Sequence, residues 1–374
     1  MVKYSCEKCG KEFSQKSHYD THMKKKRPCI NNADKIKELV EKAVSEKINE
    51  LSKDVIKSED KIKFIDLFAG TGAFSLALES SNKYECIFSN DMIESSKKIY
   101  NLNNSHLKLT LKDLNNIDVN NIPEHDLLCG GFPCQPFSIA GEQKGFNDER
   151  SNVFWKILEI LKKHSPNMII LENVKNLKSH DKGNTYKTIY KELEKLGYFL
   201  KSNILDTSKI TNIPQHRERI YIVGFRNKQN YEKFNFDFPI IKNLKIEDFL
   251  EKEIIDKYYY TDKFKVFEDI NNTIKKDIYE TNTLYQYRRY YTRENKNNCC
   301  PTLTANMGSG GHNVPLLKDK KGIRKLTPRE CFNLQGFPRD YKLPDLSDSA
   351  LYHLAGNAVS VPVVKLIVDK IVNL

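Results

Sequence analysis

Long apolar runs are missing from this chain. No stretch approaches the roughly 20 consecutive apolar residues of a membrane-spanning helix. The N-terminus is charged rather than built as a secretory signal, so neither a membrane protein nor a secreted one is expected. Nine cysteines, scattered and odd in number, offer no disulfide framework and point to a reducing, intracellular compartment. Internal repeats and low-complexity tracts are absent too. Acidic residues are in deficit, 49 against 61 basic ones, and the resulting net charge of +12 favours a polyanionic partner. A lysine-, asparagine- and isoleucine-rich composition from an AT-rich genome would produce the same sign. With 374 residues, 39% of them hydrophobic, the chain can bury the cores of two or three domains.

A third glycine is missing as well, and it matters. Lys63–Phe68 reads as a strand, Ala69-Gly70-Thr71-Gly72 as a tight turn, and Ala73 to Glu79 as the start of a helix. This is the opening βα unit of a doubly wound sheet with a cofactor at its turn. A dinucleotide fingerprint requires glycine three positions after Gly72, where Ser75 stands, so a cofactor without pyrophosphate fits better and a nicotinamide-dependent oxidoreductase is disfavoured. Tyr84 to Ser89 is a second strand ending in Asn90-Asp91, an acidic residue placed for ribose hydroxyls. Asp113, before Leu114, sits where a third strand would end, suited to an adenine amino group or simply to a helix cap.

Next comes Gly130-Gly131-Phe132-Pro133-Cys134-Gln135-Pro136, a thiol between two prolines just after an apolar strand. Prolines stiffen the loop, and the C-terminal edge of strands is where such sheets keep their chemistry. Alone, Cys134 is equally a small hydrophobe in a turn. Asn167 to Leu171 is a further strand, and Glu172-Asn173-Val174 at its end delivers a carboxylate to the same edge. Burial there would raise its pKa into the range of a proton donor. Gly197 to Ile204 and Ile220 to Phe225 complete the strands. Between them, Gln215, Arg217 and Arg219 alternate onto one face, able to hold an anion or a planar base edge.

Residues 226–323 lose periodicity. Within them Tyr285 to Arg293 interleaves aromatics with Arg288, Arg289 and Arg293, suited to phosphate and base contacts, and Pro301 to His312 is a polar glycine-rich loop containing Thr302 and Thr304. Thr327 and Pro328 mark a helix start, Gly336 its end, and Val363 to Val372 is a closing helix.

The N-terminal 30 residues form a separate unit. Cys6 and Cys9, then Phe13, Tyr19, His22 and Cys29, resemble a C2H2-type zinc finger with cysteine in place of the last histidine. Phe13 and Tyr19 would supply a miniature core that needs metal to form. From Ala33 to about Lys57, apolar residues recur at helical spacing, a helical linker or a short coiled coil.

Taken in order, Asp66-Leu67-Phe68-Ala69-Gly70, Pro133-Cys134-Gln135, Glu172-Asn173-Val174, Gln215-x-Arg217-x-Arg219, Arg324-x-Leu326-Thr327-x-Arg329-Glu330 and Gly356-Asn357 resemble the DNA (cytosine-5)-methyltransferase family over residues 61–374. The resemblance implies an α/β, Rossmann-like methyltransferase domain at 61–225, a smaller irregular target-recognition domain at 226–323, and a segment at 324–374 whose last helix returns to the catalytic domain. The finger (1–30) and linker (31–60) lie outside it.

It further implies S-adenosylmethionine as methyl donor, held by Phe68, Gly70, Thr71, Gly72, Phe74, Asp91, Met92, Asp113, Leu114, Pro133, Asn357 and Val359. Met92 departs from the aromatic residue common there. Cys134, Glu172, Arg217 and Arg219 are the expected catalytic set. Cys6, Cys9, His22 and Cys29 are the expected zinc ligands, and Arg288, Arg289, Arg293, Thr302 and Thr304 the expected DNA contacts. The expected partner is double-stranded DNA bound by a monomer, with a cognate restriction endonuclease acting separately. Phe132-Pro133-Cys134, and the lack of a Cys-Phe-Thr signature, separate the chain from the tRNA-methylating branch.

Overall fold

The computed structural model describes residues 3–25, 61–133, 153–260, 274, 276–281, 283–288, 291–309 and 314–374. Cys134, Cys29, Arg289 and the helical linker lie outside these residues. Two compact units result, Met1–Asp60 and Lys61–Leu374.

In the first unit, β1 (Tyr4–Ser5) pairs antiparallel with β2 (Glu12–Phe13), followed by helix α1 (Lys16–Met23). The hairpin and helix place Phe13 edge-on to Tyr19, with ring centroids 6.1 Å apart. These are the two residues expected to supply the small core.

The second unit is built on a seven-stranded sheet. Its elements are β3 (Ile62–Leu67), α2 (Ala73–Glu79), β4 (Tyr84–Asp91), α3 (Glu94–Asn103), β5 (Thr110–Leu111), β6 (Leu127–Gly131), α4 (Val153–His164), β7 (Met168–Val174), α5 (Asn184–Lys195), β8 (Phe199–Asp206), the single turn α6 (Thr207–Ile210) and β9 (Glu218–Phe225). The strand order is β5-β4-β3-β6-β7-β9-β8. Every pairing from β5 to β7 is parallel, whereas β9 runs antiparallel to both β7 and β8. Central strands read as continuous apolar runs because helices cover both faces. Ile65, Leu128 and Ile169 are fully buried with Phe154 and Ile157 of α4 in one cluster, and Phe64, Leu127 and Ile170 lie in the other.

Ser75, the residue that breaks the dinucleotide pattern, has a structural role. Its amide (3.3 Å) and hydroxyl (2.8 Å) both donate to Asp66 Oδ2, tying helix α2 to strand β3. Asp66 is fully buried, which pushes its pKa up from 3.8 to about 7 against those two hydrogen bonds.

After α7 (Lys228–Lys233), the region without sequence periodicity is not structureless. It contains a four-stranded antiparallel sheet of order β11-β10-β12-β13, made of β10 (Tyr285–Arg288), β11 (Tyr291–Glu294), β12 (Leu316–Lys318) and β13 (Ile323–Lys325). Strands of three or four residues are too short to print an alternation above background, which is why the sequence reads as patternless. β13 straddles the boundary expected at residue 323.

Helix α8 (Pro328–Leu334) begins with a capping box. The Thr327 hydroxyl accepts from the Glu330 amide, and the Glu330 carboxylate accepts from the Thr327 amide. That carboxylate is also gripped bidentately by buried Arg324, with both N···O distances 2.8 Å. The Arg324-to-Glu330 motif therefore works as an internal brace, since an unpaired charge at either position would be costly.

Helix α9 (Asp348–Asn357) did not stand out in the sequence, although its cap, Ser347, and its apolar positions Leu351, Leu354 and Ala355 carry the signal. Helix α10 (Val361–Val372) closes the chain by packing on α2. By length and composition Asp348–Val372 could cross a membrane, but it is two helices broken after Asn357, mostly buried in the core.

Candidate active site

The reversed direction of β9 creates the site. Because β9 starts where β7 ends, its first residues meet the C-terminal edge of the parallel strands. Glu172 lies opposite Tyr221 and Val174 opposite Arg219. Residues two apart on a strand share a face, so Arg219 reaches diagonally to Glu172, with Nε 3.1 Å from Oε1. In an all-parallel sheet the two would lie at opposite edges. Burial raises the Glu172 pKa, while the charges of Arg219 and Arg217 oppose that rise. Burial thus favours the protonated carboxyl, while the two guanidinium groups favour the carboxylate.

Beside this pair runs the end of β6, with Gly131 directly opposite Glu172. A Cβ added at Gly131 would come within 3.2 Å of Glu172 Oε2 and 3.4 Å of Val359 Cγ2, so glycine leaves room for the carboxylate on that face of the sheet. Asn173, not singled out in the sequence, donates from Nδ2 to the Phe132 carbonyl (2.8 Å) and accepts from the Val174 amide (2.8 Å). It thus anchors the root of the loop that leads through Pro133 to Cys134. The signal was its place beside Glu172 in the same motif.

Arg217 takes a different part from Arg219. It is 1% exposed and donates to three carbonyls: Leu303 (2.8 Å), Gly356 (3.1 Å) and Ala358 (2.7 Å). Burial, then the Arg219 charge, pushes its pKa down to about 9, which leaves it charged at neutral pH. Gln215, also fully buried, accepts from the Leu303 amide (3.3 Å) and donates to the Leu334 carbonyl (2.7 Å). Two of the three alternating residues therefore hold the chain around residue 303 against the sheet, and only Arg219 faces the carboxylate. The same crossing explains Gly356, where a Cβ would lie 2.1 Å from the Thr304 carbonyl oxygen.

The glycine turn lies along the same sheet edge. Phe68 (φ 57°), Gly70 (φ 53°) and Gly72 (φ 70°) all take left-handed backbone. For a bulky aromatic this is a real outlier and marks a constrained site. Asp91 Oδ2 accepts from the Gly70 amide and Oδ1 from the Ile93 amide, both at 2.9 Å, and the Met92 amide and Ser96 side chain also bond to the carboxylate. Met92 is 66% exposed beside it, an apolar surface at the strand end. Asp113 caps the short turn Leu114–Asn116 by accepting from the Asn115 amide. Leu114, Thr71 and Phe74 are buried; Phe74 belongs to the core, and the Thr71 carbonyl accepts from Tyr341 Oη at 2.6 Å. Exposed Asn357 donates to His353 Nε2 (3.0 Å), whose Nδ1–H is committed to the Ala305 carbonyl (3.0 Å).

Across the sheet edge opens a cavity of about 830 Å³, whose lining includes His216, Arg288, Arg293, Thr302 and Thr304. The Thr302 hydroxyl donates to the His216 carbonyl at 2.6 Å and the Thr304 hydroxyl to Asn306 Oδ1 at 2.6 Å. In the separate N-terminal unit, the ligand atoms of Cys6, Cys9 and His22 lie within 4.8 Å of one another. Cys9 Sγ is 3.3 Å from His22 Nε2.

A parallel sheet with one reversed strand, a left-handed glycine turn and an acidic residue at the end of the next strand define an S-adenosylmethionine-dependent methyltransferase. Residues 62–373 match the family described as C-5 cytosine-specific DNA methylase. The Type II methyltransferase M.Bsp6I of Bacillus sp. (strain RFL6) is 48% identical over 314 residues, covering 83% of this chain and 98% of that protein. The Type II methyltransferase M.HhaI of Haemophilus parahaemolyticus is 36% identical over 319 residues, covering 82% and 93%. In fold, the S. pombe Dnmt2 methyltransferase matches with a TM-score of 0.65 at 21% identity, over 84% of this chain and 99% of that one. The chain belongs to the C-5 cytosine-specific DNA methylases: it moves a methyl group from S-adenosylmethionine to C5 of cytosine in DNA.

Proposed function

We propose that the chain methylates one cytosine within a specific double-stranded DNA sequence, with Cys134 as nucleophile and Glu172 and Arg219 as the groups that hold the base. The observation that carries this reading is the Glu172–Arg219 pair, 3.1 Å apart at the edge from which the Cys134 loop departs.

Cytosine C5 is a weak nucleophile. Attack of the Cys134 thiolate on C6 forms an S–C6 bond and moves the ring's π electrons toward C5, splitting one hard step into easier ones. Glu172 binds the N3–N4 edge and favours protonation at N3, which drains the charge that develops in the ring. Arg219 keeps Glu172 oriented and supports the base; Arg217 positions the surrounding loops. S-adenosylmethionine supplies an electrophilic methyl group, and Phe68, Gly70, Asp91, Met92 and Asp113 are the residues suited to hold it. Once C5 carries the methyl group, loss of the C5 proton returns its electrons to the ring and expels the Cys134 thiolate. A base stacked in a duplex exposes neither C6 nor C5 to such groups, so the cytosine is flipped out at a cost of a few kcal/mol.

The relatives named Type II methyltransferases support a modification role beside a separate restriction endonuclease. The chain would then act as a monomer inside the cell that holds the DNA. In the N-terminal unit, Cys6, Cys9 and His22, joined by Cys29, suit tetrahedral zinc, whose ligand atoms stand about 3.5 Å apart. The test is incubation with methyl-labelled S-adenosylmethionine and either duplex DNA or tRNA, followed by bisulfite sequencing of DNA from an expressing host. Label in tRNA alone, or scattered over DNA without a fixed sequence, refutes the reading.

A further inference from the structure

Beyond Tyr285, where β10 also pairs with β12, strands β10 and β11 continue as a two-stranded ribbon in which Gln286 lies directly opposite Arg293. Alternation places Arg288 on the same face as Gln286. All three side chains line the cavity of about 830 Å³. Gln286 Oε1 accepts from Arg288 Nη2 at 3.0 Å and from Arg293 Nη2 at 2.6 Å. An amide atom that receives two guanidinium donors is the oxygen, so the orientation of the Gln286 amide is settled by its neighbours. The brace consumes the trio's acceptor. What remains for a ligand is N–H: the outer edges of two guanidinium groups and one amide.

Lys209 adds a further cation to the lining, and the one carboxylate among its described residues, Asp206, is already spent. It accepts from the Ser208 amide (3.1 Å) and hydroxyl (3.0 Å), the Arg217 amide (3.2 Å) and His216 Nδ1 (2.6 Å). A two-stranded ribbon fits the major groove, where each base shows its own pattern of donors and acceptors. Guanine presents two adjacent acceptors, O6 and N7. Adenine sets an N6 donor beside its N7, cytosine offers an N4 donor, and thymine pairs one acceptor with a methyl group. A cluster that can only donate is matched by guanine and opposed by the others. A phosphate would also accept from arginine, but it needs no guanidinium held in a set plane by an amide.

We propose that Gln286, Arg288 and Arg293 read guanine through its major-groove edge within the recognition sequence. The proposal rests on the chain being a sequence-specific DNA methyltransferase. Its test begins with the methylated sequence found by bisulfite sequencing, prepared as a synthetic duplex. Each guanine is replaced in turn by 7-deazaguanine, which lacks the N7 acceptor, or by inosine, which keeps both O6 and N7. At a guanine read by the trio, 7-deazaguanine lowers kcat/KM about 10–100-fold and inosine leaves it within about threefold, as expected for loss of one bidentate base contact. Arg293→Ala, at an exposed position of the ribbon, and Gln286→Ala, at a half-buried one, abolish the difference between guanine and 7-deazaguanine at that position.

Tolerance of 7-deazaguanine at every guanine overturns the proposal. So does an Arg293→Ala variant that weakens binding to all duplexes alike and lowers the salt slope by about one, the signature of a phosphate contact. Absence of methylation on any duplex by the unaltered protein instead refutes the underlying function, so the two failures are told apart.

Discussion

Replacement of Arg217 by methionine, which keeps the length of the side chain and removes its donors, separates a clamp from a catalyst. Arg217 makes three hydrogen bonds to buried carbonyls on two other segments. Bonds from a charged donor contribute about 1.5–3 kcal/mol each, together about 5–9 kcal/mol. Against this stands the cost of burying the charge. A pKa pushed from 12.5 to about 9 corresponds to about 5 kcal/mol at roughly 1.4 kcal/mol per unit. The charge thus contributes a net of roughly 0–4 kcal/mol. Methionine also leaves the carbonyls of Leu303, Gly356 and Ala358 without donors, which puts the loss toward the upper end, about 3 kcal/mol. In a unit of this size that lowers Tm by about 4–5 °C. Thermal unfolding of the full chain followed by circular dichroism measures it, alongside methylation well below the transition. An unchanged Tm with turnover reduced more than about 100-fold would refute the clamp and assign Arg217 to the reaction.

Four other outcomes are expected. Cys134→Ala and Cys134→Ser abolish methyl transfer while duplex binding in a gel-shift assay is retained; full activity in either variant removes the covalent step. Glu172→Gln cuts turnover by about 10²–10⁴-fold, the range for loss of a positioned proton donor, and an unchanged rate takes proton handling away from it. Asp66 has a raised folded pKa, so its contribution is intact below about pH 4 and is lost as pH rises toward about 7; the full loss is about 4 kcal/mol. Asp66→Asn therefore flattens urea-measured stability across that window, and a wild-type slope in the variant would rule Asp66 out as its source. The N-terminal unit binds about one zinc per chain by atomic emission, and Cys6→Ala loses it; metal-free protein with the same circular dichroism before and after chelation contradicts the zinc site.

Local signals carried the strands, the glycine turn, the capped helix at Pro328 and the order of the motifs. Each depends on neighbours within a few residues: apolar runs, a left-handed turn, a threonine cap. The type of chemistry was legible for the same reason, since a thiol between prolines, a carboxylate at a strand end and a turn lacking its third glycine are all short-range patterns.

Partnership across the chain was decided by the tertiary structure. Arg217 and Arg219 are two residues apart and look equivalent in sequence. One is buried among carbonyls from residues 303, 356 and 358, while the other meets Glu172, because β9 enters the sheet reversed. Strand direction follows from which edge the chain reaches after β8, and no local pattern encodes it. Asn173 on the Phe132 carbonyl, Gly356 against the Thr304 carbonyl and Gln286 between two arginines share that origin. Each is a contact whose energy depends on a segment that only packing brings near.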